Sequence, residues 1–182
     1  MSDCYIEDRE CNSDEFQECE RHFKCVCETH QKKLKPNRTI LKCGSQGGVT
    51  LPVGTVAGAA FTLATVNVDS KGLKNQCIKF EFASNIVTTA AVLTLNFQVF
   101  KQCKDMPTPI PVGPIWTFSR LAAITEGNTF TFFVCDCDLC NDDCCTYSVV
   151  ARVAGLATVG VTSINHASLS AIIVENDCNS CK

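Results

Sequence analysis

From residue 59 onward most of the chain alternates apolar and polar residues with a period of two, the spacing that puts successive side chains on opposite faces of a strand. In CIKFEF, Ile78, Phe80 and Phe82 share one face and Lys79 and Glu81 the other. AVLTLNFQVF repeats the pattern, with Leu93, Leu95, Phe97 and Val99 inward and Thr94, Asn96 and Gln98 outward. TFTFFV supplies Phe130, Phe132 and Val134, and CTYSVVARV sets Cys145, Tyr147, Val149, Ala151 and Val153 against Thr146, Ser148 and Arg152. WTFSR adds Trp116 and Phe118 as core candidates, and VGVTSI and SLSAIIVEN read as two closing strands. In FTLATVNV, Phe61 and Leu63 are out of step with Val66 and Val68, which predicts a bulge. MPTPIPVGP, with Pro107, Pro109, Pro111 and Pro114, lacks ladder donors and reads as a crossing between strands. About eight short strands separated by turn residues predict an all-β fold, an antiparallel β-sandwich or jelly roll occupying residues 59–182.

The first 42 residues follow a different pattern. They hold nearly half of the chain's charged residues and five cysteines, Cys4, Cys11, Cys19, Cys25 and Cys27. Asn12 can cap a helix with Glu15 three positions later, and Glu20/Lys24 and Glu28/Lys32 are favourable pairs one turn apart. The predicted helix has a narrow apolar stripe of Phe16, Cys19, Phe23 and Val26, suited to docking on a neighbouring subunit or on its own domain. Pro36 marks its exit. Residues 43–58, rich in glycine and short of charge, read as a flexible hinge or a loosely held first strand. The expected organisation is thus an N-terminal cysteine-rich, partly helical arm, a hinge, and a β domain.

Cysteine content changes the picture most. A chain of 182 residues needs no cross-links merely to bury a core, yet this one carries 15 cysteines, an odd number that leaves at least one thiol over after intramolecular pairing. Five of them, Cys135, Cys137, Cys140, Cys144 and Cys145, crowd an acidic segment between two predicted strands. Cys135 and Cys137 point to one face, and a disulfide between them would close too short a ring. Adjacent Cys144 and Cys145 point to opposite faces and need different partners. These five and the arm cysteines are the candidates for disulfides between subunits. Cys43, Cys77, Cys103, Cys178 and Cys181 are the candidates within the chain, the first three lying near predicted strand ends.

Thiolate binding of zinc or copper is the principal alternative, since C-x-C-x₂-C-x₃-C-C could wrap a metal, but a closed zinc site would need a second pair such as Cys178 and Cys181. No metal and no cofactor are expected. Catalysis is not expected either: His22, His30 and His166 are scattered, the first two in the charged arm where a solvated helix face explains them, and the acidic cysteine segment is the reverse of the electropositive setting that a cysteine nucleophile needs. A net charge of −3 offers no basic surface for nucleic acid, and no apolar run approaches a membrane span. The N-terminus lacks the pattern of a secretory signal. Disulfides in a chain made in a reducing cytosol then imply oxidation after release from the producing cell.

The segments CIKFEFASNIV, LTLNFQVFK, VGPIWTFSR, FTFFVCDCDLC through CCTYSVV, and SLSAIIVEN resemble a family of uncharacterised cysteine-rich β proteins from clostridial spore formers, over about residues 43–176. With its cysteine-bearing arm before a β domain, the chain is also similar to the jelly-roll subunits of endospore appendages, pilus-like fibres whose arms are disulfide-bonded to neighbouring subunits. The resemblance implies a homopolymer, an extracellular or spore-surface location, other spore-surface proteins as further partners, and Cys4 and Cys11 as linking thiols, with Cys19, Cys25 and Cys27 in the same arm. An adhesin-like binding module is the third expectation.

Overall fold

The computed structural model describes residues 38–73, 76–104, 106–139 and 144–175. The expected helix after Asn12 lies outside them, as do His22 and His30. Seven antiparallel strands make up the regular structure: β1 (Thr39–Cys43), β2 (Gly47–Leu51), β3 (Ala60–Asp69), β4 (Gln76–Cys103), β5 (Ile110–Leu139), β6 (Cys144–Val153) and β7 (Val159–Glu175). One boundary differs from expectation: the end of the arm at residue 42 falls inside β1. Of the two readings of the glycine-rich stretch, hinge or strand, it is the strand that appears, as β2.

The strand count differs as well, because predicted neighbours fuse. CIKFEF and AVLTLNFQVF are the two halves of β4, WTFSR and TFTFFV belong to β5, and VGVTSI and SLSAIIVEN belong to β7. Between the halves of β4 the inward positions are Ser84, Ile86 and Thr88, all buried, so the alternation persists with small polar residues in the apolar phase. Thr88 is accommodated because its hydroxyl donates to the carbonyl of Glu126 at 3.3 Å. Pro111 and Pro114 lie within β5, where missing ladder donors are tolerated: among the described residues β5 pairs with β4 alone, so one side of it is an edge. The expected bulge in β3 falls at Leu63, where the register shifts between Thr62 and Ala64 and both Leu63 and Ala64 are buried.

The long strands fold over. Phe82 and Phe97 stand 15 positions apart on β4, which would separate them by about 50 Å in a straight strand, yet their ring centroids are 6.1 Å apart. Phe118 and Phe130 of β5 likewise come to 6.0 Å. The bend in β4 falls at Ala90, whose φ of 46° is unusual for a residue with a side chain. Arg120 and Glu126 form an ion pair across the matching bend of β5, and Asn128 donates to the same carboxylate at 2.6 Å.

Two facing layers result. One contains β1 and β2 on β7, then the first half of β4 and the second half of β5; the other contains β3, β6, the second half of β4 and the first half of β5. Ile78, Phe80 and Phe82 from the first layer meet Leu95, Phe97 and Tyr147 from the second in one core, with Phe80 and Tyr147 rings 4.2 Å apart.

On one side the layers are stitched together by the β1–β2 connection. The Gly44 amide donates to Leu169 of β7 and the Ser45 amide to Thr65 of β3, both at 2.8 Å. Ser45 and Thr65 hydroxyls add a bond of 2.9 Å. A Cβ on Gly44 would overlap the Thr65 carbonyl, and one on Gly47 the Leu63 carbonyl. Glycines expected to confer flexibility therefore serve close backbone approach instead. On the opposite side runs β5, which follows the bend of β4 from one layer to the other. Because β4 and β5 both double back, their four termini gather at one end of the structure, beside the start of β6 and the ends of β3 and β7.

Candidate functional site

At that end the strands bring the cysteines together. Cys103 of β4 stands opposite Cys145 of β6, and the two form a disulfide with Cα atoms 4.0 Å apart. Cys145 is buried, so this bridge caps the core from inside. Cys77 at the start of β4 is bonded to Cys137 of β5, again with a Cα separation of 4.0 Å, on the outer face of the first layer. Cys77 and Cys103 thus pair within the chain. Cys137 and Cys145, expected among the intersubunit candidates, are corrected to intrachain partners: Cys145 faces Cys103 across the β4–β6 ladder, and Cys137 meets Cys77 where the β4–β5 register shifts between Gln76 and Ile78.

Cys43, Cys135 and Cys144 are free thiols, all exposed. Cys43 was expected to bond within the chain. It stands opposite Ser170 at the end of β1, with no sulfur across the ladder from it. Cys144 and Cys145 do face opposite ways, one exposed and one buried. Cys4, Cys11, Cys19, Cys25, Cys27, Cys140, Cys178 and Cys181 lie outside the described residues. Among the described residues no group of three or more His, Cys, Asp or Glu side chains comes together as a metal site.

Between the two disulfides a polar cluster joins the layers. Asp136 of β5 accepts from Lys101 Nζ at 3.2 Å and from the Tyr147 hydroxyl at 2.9 Å, both on the same carboxylate oxygen, Oδ2. Lys101 and Asp136 are only 13% and 10% exposed, so the pair works with little screening by water. The Lys101 ammonium also lies 5.9 Å from the Tyr147 ring centre. Burial, and then the neighbouring Asp136 charge and hydrogen bond, push the Tyr147 hydroxyl well above the usual phenol range. The sequence held a signal for this cluster: Lys101 and Asp136 occupy the inward phase of their strands, opposite charges at positions where the pattern calls for apolar residues.

A raised phenol makes stability depend on pH in a definite direction. The unfolded chain releases this proton near pH 10 while the folded chain keeps it, so the contribution is present below pH 10 and is lost as pH rises further. Urea midpoints measured from pH 8 to 11 are expected to fall more steeply for the wild type than for Tyr147→Phe. Parallel curves would remove Tyr147 from the explanation.

Outside the layer, Lys79 stands opposite Cys135 in the β4–β5 ladder, bonds Glu81 at 2.7 Å and lies 5.4 Å from the centre of the exposed Phe133 ring. The Glu81 hydrogen bond and charge raise the Lys79 pKa. His166, between the two predicted closing strands, sits inside β7 with φ of 53°, at a register shift between its neighbours.

Residues 37–174 match the family described as "Domain of unknown function (DUF4489)". The chain belongs to that family. The matched span runs from just before β1 almost to the end of β7, so this family's domain takes in both layers, both disulfides and the polar cluster. No curated protein matches the chain. Among solved structures, the Eiger TNF of S. frugiperda is similar at 10% identity and a TM-score of 0.45, over 81% of this chain and 98% of that one. A structure of infectious bursal disease virus, Gx strain, gives 10% identity and a TM-score of 0.45, over 79% of this chain and 38% of that one. The xylan-binding module CBM15 gives 15% identity and a TM-score of 0.35, over 75% of this chain and 96% of that one.

Proposed function

We propose that this chain is a non-catalytic structural subunit that assembles with copies of itself by strand pairing and is then locked by disulfides, forming an extracellular fibre or spore-surface layer. The observation that carries this reading is β5, a strand of 30 residues whose outer side has no ladder partner among the described residues. An open edge leaves a row of amides and carbonyls that a strand from another molecule can satisfy. Exposed Cys135 lies on that strand, and exposed Cys144 starts the next one. Two disulfides within the domain agree with maturation in an oxidising setting.

The likeness of the cysteine-bearing segments to clostridial spore proteins, and of the arm-plus-domain plan to the jelly-roll subunits of endospore appendages, points the same way. Arm cysteines Cys4, Cys11, Cys19, Cys25 and Cys27 would add further links in the assembly. Other spore-surface proteins are the additional partners this reading allows; nucleic acid and membrane are not among them. Among the described residues no helix is long and apolar enough to cross a membrane.

The test is electron microscopy and non-reducing gel analysis of the purified chain after oxidation. Expected are ordered filaments or sheets whose covalent ladder collapses to monomer with reductant. A monomer that stays monomeric after oxidation would remove the reading. Stoichiometric zinc or copper, with thiols freed by chelation, would establish the thiolate metal-binding alternative.

A further inference from the structure

The outer face of the first layer holds both reactants of a thiol–disulfide exchange within three residues of one strand. Cys137, exposed, is the accessible sulfur of the Cys77–Cys137 bridge, and Cys135, also exposed, is a free thiol on the same face. Exchange proceeds when a thiolate attacks one sulfur of a disulfide and the other leaves. The attacking sulfur must approach in line with the bond that breaks. The Cys77–Cys137 bond runs across the ladder from β4 to β5, whereas Cys135 is displaced from Cys137 along β5. Attack within one molecule would therefore come from the side, and it could only close the strained ring between Cys135 and Cys137 or bridge Cys135 diagonally to Cys77. The in-line direction lies beyond Cys137, on the open side of β5, where no strand pairs among the described residues.

A second copy of the chain fits that approach. When two β5 strands pair antiparallel about a two-fold axis at Asp136, residue numbers opposite each other sum to a constant, so Cys135 of each copy faces Cys137 of the other on the same face. Asp136 then meets its own counterpart with its charge already balanced, since each carboxylate is held by its own Lys101. Lys79, opposite Cys135, places an ammonium beside the attacking sulfur, with Glu81 occupying one of its donors.

We propose that β5 is a self-complementary exchange edge, on which Cys135 of one copy opens the Cys77–Cys137 bond of another. The Cys135 thiolate forms a bond to Cys137 Sγ, and the electron pair of the old bond leaves on Cys77 Sγ, which takes a proton from water. The reciprocal attack completes a dimer with two Cys135–Cys137 links and two free Cys77 thiols. Two disulfides are consumed and two are made, so no oxidant is required. The buried Cys103–Cys145 bridge takes no part.

This rests on the reading that copies associate along β5, and the experiment separates the two. The full chain, isolated with its disulfides intact, is incubated without oxygen and with a chelator, then alkylated, run on non-reducing gels and mapped by mass spectrometry. Expected are a covalent dimer, a Cys135–Cys137 intermolecular peptide, and Cys77 alkylation rising in step with the dimer. Cys135→Ser, which alters an exposed side chain and should leave the fold intact, is expected to reduce the dimer at least tenfold. A dimer that persists in Cys135→Ser overturns the exchange while leaving self-association standing. So does a dimer that forms only once air is admitted. Absence of any covalent species with or without air overturns both.

Discussion

Asp136→Ala is expected to destabilise the domain by about 3 kcal/mol, near the lower end for breaking a buried ion pair because the site keeps a tenth of its exposure. The cost is mostly what the mutation leaves behind. Lys101 loses its counter-charge in a poorly hydrated setting, and the Tyr147 hydroxyl, on a side chain with no exposed surface, loses its acceptor. Asp136→Asn should cost less than Asp136→Ala, since the amide oxygen can still accept from Tyr147 while the charge is missing. Urea unfolding of the three proteins at neutral pH checks both the size and the order. A loss below about 1 kcal/mol for the alanine variant would mean that water already screens the cluster, as at an ordinary surface pair.

Strand faces were legible because a buried face needs apolar residues at every second position, and all the residues predicted inward in β4 and β6 are buried. Strand lengths were not. The pattern breaks at Ser84 and Thr88, where small polar residues still point inward, and a period-two reading takes such a break for a turn. The bend at Ala90 has no glycine or proline to announce it. Prolines misled in the other direction: Pro111 and Pro114 suggested a loop, and they lie in a strand whose open side needs no donor from them.

The site was legible in its materials and not in its pairing. Composition singled out the cysteine-rich segment, and the alternation put Cys144 and Cys145 on opposite faces. Connectivity depends on register, which sequence fixes only within a strand pair whose turn is known. Cys103 meets Cys145 because β4 doubles back and brings β6 alongside its second half. Cys77 meets Cys137 because β5 doubles back with it. Without the fusion of short predicted strands into long bent ones, neither partner could be named. The same bend takes β5 along both layers with one side open and leaves Cys135 beside an exposed bridge.

Phe97→Ala is expected to have the other large effect, a loss of about 3 to 5 kcal/mol, because a cavity is added to the lost transfer energy of a fully buried ring. Phe97 lies on the second half of β4, yet its ring is 4.5 Å from Phe130 of β5 and 6.1 Å from Phe82 of the first half, both in the opposite layer. Phe82 in turn lies 5.0 Å from Phe132, which stacks on Trp116 at 5.7 Å. The ring is thus one of the contacts that make the bend worth its strain, since it rewards β4 for folding onto itself and sets the path that β5 must follow. Phe97→Leu keeps much of the volume and should cost about 1 kcal/mol, while Phe133→Ala, on a ring 58% exposed, should change stability little. Denaturant midpoints for the three variants test the ranking. A Phe97→Ala cost no larger than that of Phe133→Ala would mean that the two layers are not held face to face at this point, and the continuous open edge of β5 would lose its support with them.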